Sequence, residues 1–136
     1  MILLDTNIIF EALKPQGDPS VLAWLDAQAL ETLFLSTITL AELGFGIAAM
    51  PVGKRRDILS RELDARVLPI FEGRILPFGR EAADAYGALR ARAQAAGRAI
   101  NTADGYIAGI ASAHGLDVAT RDVGPFEAAG LRVIRP

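Results

Sequence analysis

The sequence contains no cysteine, only one histidine and only two lysines among its 136 residues. The absence of cysteine excludes a disulfide framework and thiolate-bound zinc. No apolar run approaches the roughly 18 residues that would indicate a membrane span. The net charge is −2, from 16 acidic and 14 basic residues, so the chain is not a polybasic nucleic-acid coat. A polyanion could therefore bind only at a local site.

Hydrophobic residues make up 51% of the chain, which is enough for one core in a domain of this length. We expect a single domain over residues 1–136, with surplus apolar surface that meets a protein partner. The first residues lead directly to Asp5 without the basic segment or cleavage site of a secretory signal. The expected location is therefore cytoplasmic, without membrane insertion.

Short apolar runs alternate with longer helical patterns, as is typical of an α/β domain with a mainly parallel sheet. The expected strands are Ile2–Leu4, Leu33–Ser36, Arg74–Phe78, Asp117–Thr120 and Arg132–Ile134. The expected helices cover Val21 to Leu30, Leu40 to Ala48, Lys54 to about Leu68, Glu81 to Ala96 and Thr102 to His114, with a Gly124-Pro125-Phe126 turn before a short last helix. The helices over 54–68 and 81–96 are expected to lie on the surface.

Four acidic residues follow predicted strands or open predicted helices, and they are Asp5, Glu42, Asp104 and Asp122. Each has an ordinary structural explanation. Thr39 to Glu42 fits a helix capping box, and Asp104 lies in a first helical turn where the helix dipole favours a negative charge. Asp5 could cap a turn of helix beginning at Thr6, and Asp122 could end a strand in a turn.

The four acids have a different meaning if they converge, because an open parallel sheet gathers its strand ends around one crevice. Four crowded carboxylates repel one another and need a compensating cation. Oxygen ligands without histidine or cysteine suit a hard ion, Mg²⁺ or Mn²⁺, which could activate a water against a phosphodiester. Thr6, Asn7 and Thr120 stand beside the acids as groups that could orient them, or simply as turn formers at strand ends.

These motifs resemble a PIN-domain ribonuclease of the VapC toxin type, in its FitB-like branch. The likeness runs from Met1 to about Ile134 and rests on four strings in order: Leu-Asp-Thr-Asn around Asp5, Thr-Leu-Ala-Glu-Leu around Glu42, Ala-Asp-Gly-Tyr-Ile-Ala around Asp104, and Thr-Arg-Asp before Phe126. In one respect the chain departs from the family. Many such toxins have Thr-Arg-Asn with an Asp three residues later, whereas this chain has Asp122 and then Pro125 at those positions.

The resemblance implies a PIN-like three-layer sandwich and a metal-dependent endoribonuclease, the toxin of a type II toxin–antitoxin pair. Asp5, Glu42, Asp104 and Asp122 would bind Mg²⁺ or Mn²⁺, with the fourth ligand displaced relative to the family. The resemblance also implies a homodimer, or a dimer of toxin–antitoxin heterodimers. A small antitoxin that carries a DNA-binding module would silence the enzyme by covering the cleft.

Other residues leave alternatives open. Arg121 could contact an RNA phosphate or pair with a nearby acid, and Phe45 could belong to the core or line an antitoxin groove. His114, at a predicted helix end, favours a structural role. A receiver-like phosphohydrolase is disfavoured because it needs a lysine late in the chain, and the lysines are Lys14 and Lys54. The remaining alternative is a catalytically weak PIN-like module that works through protein–protein binding.

Overall fold

A computed structural model describes the whole chain, Met1–Pro136, and shows one sheet of five short strands. The strands are β1 (Ile2–Leu4), β2 (Leu33–Ser36), β3 (Ile75–Leu76), β4 (Asp117–Ala119) and β5 (Val133–Ile134). They lie in the order β3-β2-β1-β4-β5, and every neighbouring pair is parallel. The predicted α/β fold with a parallel five-stranded sheet is therefore confirmed.

Seven α-helices flank the sheet: α1 (Thr6–Leu13), α2 (Pro19–Asp26), α3 (Thr37–Ala48), α4 (Lys54–Arg61), α5 (Arg80–Ala95), α6 (Thr102–His114) and α7 (Val123–Ala128). None of these helices combines the length and the apolar character that crossing a bilayer would require.

The central strand β1 divides the apolar core into two parts. Successive side chains of a strand point to opposite faces, so Leu4 packs into a core with α1 to α4, and Leu3 packs into a second core with α5 to α7. Both leucines are fully buried. The molecule is therefore a three-layer sandwich, with helices on both faces of the sheet.

The pairing register places the ends of β1 and β4 side by side. Leu4 is the partner of Ala119, and the Asp5 N–H donates to the Ala119 carbonyl at 2.9 Å. Strand order reverses between β1 and β4, because the chain runs from β1 to β2 on one side and reaches β4 on the other. Ligands of open α/β sheets bind in the crevice at such a point, beyond the carboxyl ends of the strands.

Several predicted boundaries were wrong. The expected helix over 54–68 is helical throughout but changes type: α4 ends at Arg61, followed by a π-helix (Glu62–Val67) and a 3-10 helix (Leu68–Phe71). The expected helix to Leu30 ends at Asp26. The expected turn at residues 124–126 lies inside α7, because a proline in the first turn needs no backbone hydrogen bond there.

The helix α5 was expected to lie on the surface, and this prediction was incomplete because one face of α5 packs closely on α6. Ala82, Leu89 and Ala93 are buried in the second core. Glycines allow the close approach: a Cβ atom on Gly105 would stand 2.7 Å from the Tyr86 ring, and one on Gly109 would stand 2.7 Å from the Ala82 carbonyl. Helix α5 thus packs directly against the N-terminal half of α6.

Candidate active site

Asp5 is the most buried acid at the carboxyl edge of the sheet, with 4% of its surface exposed. It follows β1 and is the N-cap residue of α1, as expected if Asp5 caps a helix that begins at Thr6. Its Oδ1 accepts from the Thr6 N–H at 2.8 Å, and its Oδ2 accepts from the Thr120 hydroxyl at 2.7 Å and the Asn7 amide at 3.3 Å. A carboxylate accepts about four hydrogen bonds, so one position remains for a cation.

The pKa of Asp5 is raised to about 6. Burial is the main cause because it penalises the charged form, and the nearby charges of Asp104 and Glu42 add to the rise. The hydrogen bonds from Thr120 and Thr6 act in the opposite direction but do not outweigh burial.

Glu42 is not part of a capping box, so that interpretation of Thr39 to Glu42 was wrong. The N-cap of α3 is Ser36, whose hydroxyl accepts from the Thr39 N–H at 3.0 Å. Glu42 therefore lies beyond the first turn, where no unpaired backbone N–H is within its reach. Its Oε1 accepts instead from the Thr6 hydroxyl at 2.6 Å, which also lies 3.1 Å from the Thr39 hydroxyl.

Asp104 combines a structural contact with a place near the other acids. Asn101 is the N-cap of α6 and accepts from the Asp104 N–H at 2.9 Å, while the Asn101 amide donates to the Asp104 carboxylate. The pKa of Asp104 is raised, mainly by partial burial and then by the charges of Asp122 and Glu42. A helix N-terminus and a donated hydrogen bond would lower this pKa, so the neighbouring carboxylates are an opposing influence.

Asp122 occupies the N-cap position of α7 but makes no side-chain capping bond, and it is exposed to solvent. Its backbone N–H donates to the Thr120 hydroxyl at 3.0 Å. Thr120 itself is fully buried and donates to Asp5. The same hydroxyl thus connects the loop of Asp122 to the end of β1.

The four acids line one open cleft, together with Thr6, Asn7 and Phe10. No basic side chain lines it. As the side chains are placed, no three acids stand close enough together to hold a metal ion, so binding would require acid side chains of the cleft to move closer to one another. The donor set fits a hard divalent ion, because every candidate ligand is oxygen and because the acids have no cation within the cleft to balance them.

Three lining or supporting residues were missed by the sequence analysis. Ser36 and Thr39 are fully buried hydroxyl residues at the start of α3 that lie behind Thr6. Phe10 is an aromatic residue, 38% exposed, in the wall of the cleft. The Ser36 cap could have been recognised from the serine directly after the apolar run of β2, whereas Phe10 has no signal without the fold.

Arg121 pairs with acids, which was one of its two alternatives. One guanidinium nitrogen lies 2.6 Å from Glu11 Oε1 and another lies 3.1 Å from Asp18 Oδ2. Glu11 and Asp18 were also missed, although an acid among the buried apolar positions of α1 is an unusual signal. A direct contact of Arg121 with phosphate remains a prediction.

Phe45 differs in exposure from the apolar residues that follow it in the chain. Ile47 is buried and Met50 packs against the core, but Phe45 is 76% exposed, so it does not belong to the core. His114 is the exposed last residue of α6, consistent with a position at a helix C-terminus. Lys54, Arg55 and Arg56 form the first turn of α4 and do not line the cleft.

Comparison with known proteins gives consistent matches over the whole chain. The model of the PIN domain family matches residues 2–131. The VapC ribonuclease Y4jK of Sinorhizobium fredii is 57% identical over 136 residues, which are 100% of this chain and 97% of that protein. Toxin FitB of Neisseria gonorrhoeae is 49% identical over 100% of this chain and 98% of its own. The crystal structure of FitAcB from the same organism superposes with a TM-score of 0.95 at 49% identity, covering 100% and 98% of the two chains.

Proposed function

The chain belongs to the PIN domain family, and we propose that it is a divalent-metal-dependent endoribonuclease, the toxin of a type II toxin–antitoxin pair. The observation that carries the proposal is the cleft at the β1/β4 strand ends, which collects four carboxylates and no basic side chain. The names of the relatives, a VapC ribonuclease and a toxin, support the same reading.

Asp5, Glu42, Asp104 and Asp122 are the proposed ligands of Mg²⁺ or Mn²⁺. Asp5 and Asp104 are the dominant ones, because Asp5 is fixed at the end of the central strand and Asp104 is fixed at the start of α6. When bound, the ion lowers the pKa of a water, orients it towards a phosphodiester and offsets charge on the leaving oxygen.

The supporting residues keep the ligands oriented. Thr120 and Asn7 donate to Asp5 Oδ2 and leave its Oδ1 with one free acceptor position. Thr6 donates to Glu42 and so holds an exposed, flexible side chain towards the cleft. Such hydrogen bonds restrict the carboxylates to a small set of orientations before the ion binds.

A direct test measures cleavage of a labelled single-stranded RNA by the purified chain in Mg²⁺ or Mn²⁺ and in excess EDTA. We expect cleavage with either ion and none in EDTA, with restoration when the ion is added back. Equal cleavage in EDTA would refute the metal site. The second candidate, a catalytically weak module that works mainly by protein–protein binding, predicts little or no cleavage under any of these conditions.

We propose a small antitoxin as the protein partner, and a homodimer, alone or as a dimer of toxin–antitoxin heterodimers, as the assembly in the cytoplasm. Any DNA binding belongs to the antitoxin. Phe45, with 76% of its surface exposed, is available for a contact outside the chain. The absence of a cation from the cleft would let a basic antitoxin side chain take the place of the ion's charge.

The partner contact can be tested by co-expression with the antitoxin. We expect Phe45→Glu to disrupt the stoichiometric complex while circular dichroism shows an unchanged fold. Leu30→Glu is the control, because Leu30 is also an exposed apolar residue, with 51% of its surface exposed, but lies in a different segment, directly before β2. An intact complex with Phe45→Glu would place the antitoxin elsewhere.

A further inference from the structure

A second group of charged residues lies beside the acid cleft but outside it. Glu11 belongs to α1, faces away from solvent with 7% of its surface exposed, and does not line the cleft. Its Oε1 accepts from Arg121 at 2.6 Å, and Lys14 Nζ lies 2.9 Å from its Oε2. A buried carboxylate is unfavourable without such partners, so the position demands a cation. Nothing in the proposed chemistry uses Glu11 directly.

Arg121 joins three separate segments of the chain. Besides Glu11 of α1, its guanidinium reaches Asp18, the N-cap residue of α2, at 3.1 Å. The segment before Asp18 passes so close to α1 that a Cβ atom on Gly17 would stand 2.1 Å from the Glu11 carbonyl oxygen. Only glycine permits that approach. Arg121 is therefore the point where α1, the start of α2 and the loop between β4 and α7 meet.

The same loop carries one residue that lines the acid cleft and one that supports it from behind. Thr120, directly before Arg121, donates to Asp5, and Asp122, directly after it, lines the cleft. The Arg121 N–H donates to Asn7 Oδ1 at 3.1 Å, and the Asn7 amide lies 3.3 Å from both Asp5 Oδ2 and Thr120 Oγ1. A displacement of Arg121 would therefore reach Asp5 through Asn7 and Thr120.

We propose that Arg121, held by Glu11 and Asp18, is a positioning residue that fixes the β4–α7 loop and thereby sets Asp122 at the acid cleft and Thr120 against Asp5. This inference rests on the proposed nuclease function for its catalytic consequence. Two guanidinium nitrogens already contact carboxylates, and Arg121 does not line the cleft, which disfavours a direct contact with phosphate. The residue acts through the loop backbone rather than through its charge at the substrate.

The structural part can be tested without RNA or metal, by amide hydrogen exchange of the full-length chain. We expect Arg121→Met to accelerate exchange of the Asp122 N–H, which is bonded to Thr120, by about tenfold or more, while the amides of β1 exchange as in wild type. Lys14→Met is the matched control, because it removes the other cation at Glu11 and leaves the loop tied. Unchanged exchange at Asp122 in Arg121→Met would overturn the proposal, whether or not the chain cleaves RNA.

The catalytic part is tested by the split between kcat and KM for RNA cleavage. We expect Arg121→Met to lower kcat by about 10–100-fold, as loss of a group that orients metal ligands does, with KM changed less than about threefold. Arg121→Lys should recover part of kcat because lysine can still pair with Glu11. The salt dependence of KM should be unchanged, because no phosphate contact is lost.

The double variant Glu11→Met/Arg121→Met guards against a simple folding defect, because it removes both charges of the buried pair together. If Arg121 acts through Glu11, the kcat of the double variant should be no lower than that of Arg121→Met alone. A raised KM with a weaker salt dependence in Arg121→Met, together with full activity in Glu11→Gln, would show a phosphate contact and refute the positioning role. A wild-type chain that cleaves no RNA would refute the nuclease function and leave the exchange result to decide on the loop.

Discussion

Two groups of acidic residues lie on either side of the β4–α7 loop, and their electrostatic surroundings differ. In the first, Glu11 and Asp18 are paired with Arg121 and, for Glu11, with Lys14. In the second, the cleft, four carboxylates have no cation as a partner, and Asp5, Glu42 and Asp104 accept only from hydroxyl, amide and backbone donors. The paired group can hold the fold together as it stands. The unpaired group has no such balance within the chain, and the proposed metal ion would supply it.

The largest expected effect concerns catalysis in the unpaired group. Asp104→Asn should reduce RNA cleavage at least about a hundredfold, because it removes a proposed metal ligand while the Asp104 backbone N–H can still be capped by Asn101. Asp84→Asn makes the same chemical change at an exposed surface acid of α5 and should leave the rate unchanged. Equal rates for Asp104→Asn and wild type would remove Asp104 from the site.

The next effect is the pH dependence of stability caused by Asp5. Its pKa in the folded protein is about 6, above the ordinary value of 3.8, so the folded state holds the proton more tightly. The protonated Asp5 side chain therefore contributes to the stability of the folded state. This contribution is complete below about pH 4 and is lost as the pH rises through about 6. The difference in pKa corresponds to about 3 kcal/mol.

Urea unfolding in EDTA at several pH values measures this effect. The free energy of unfolding of wild type, relative to that of Asp5→Asn, should fall between pH 4 and pH 7. A difference that stays constant over this range would mean that the pKa of Asp5 is not raised by folding.

A smaller effect is the change in the free energy of unfolding when one acid of each group is replaced by glutamine. Glu11→Gln should destabilise the protein by about 1–3 kcal/mol, because Arg121 and Lys14 lose a charged partner in a buried place. Glu42→Gln should change stability by less than about 0.5 kcal/mol or raise it slightly, because an exposed charge leaves a repulsive cluster while an amide oxygen can still accept from Thr6. Denaturant unfolding in EDTA measures both. A similar loss in the two variants would mean that Glu42 is a structural residue.

The smallest expected effect is a reversal of melting temperatures by metal. In EDTA, Asp104→Asn should melt above wild type, since partial burial, together with the like charges of Asp122 and Glu42, raises the pKa of Asp104 and opposes its ionised form. In millimolar Mn²⁺, wild type should gain more, because an ion that binds only the folded state stabilises it by mass action. Thermal scans in both conditions test this. A lower melting temperature in EDTA, with no reversal in Mn²⁺, would show that Asp104 is a structural cap.

Some parts of the fold followed from short-range patterns. The apolar runs before Asp5 and at residues 33–36 became strands with the expected bounds, and Gly115 ends α6 with a left-handed backbone at φ 65°. Glycine favours that conformation because it lacks a Cβ atom. The boundaries that failed include those of α4, where the helix changes type after Arg61, and of α7, which begins before the expected turn.

The Thr39 to Glu42 string shows the limit of local reasoning about the site. Its spacing matches a capping box, but the helix begins three residues earlier because Ser36 ends a buried strand and caps α3. A shift of the helix start by one turn released Glu42 from the backbone and left it facing Thr6. No pattern within the string distinguishes these two helix starts.

The sequence by itself determined the residue types of the site, the alternation of strands and helices, and the order of the acidic motifs, because these depend on local hydrophobic period and on chemistry. Only the tertiary structure decided which acids lack a cation. Thr120, Arg121 and Asp122 are consecutive, yet Arg121 reaches Glu11 of α1 while its two neighbours turn to Asp5 and the cleft. Charge balance depends on distances in space between residues more than 100 positions apart, and those distances exist only once the parallel sheet has brought β1 and β4 together.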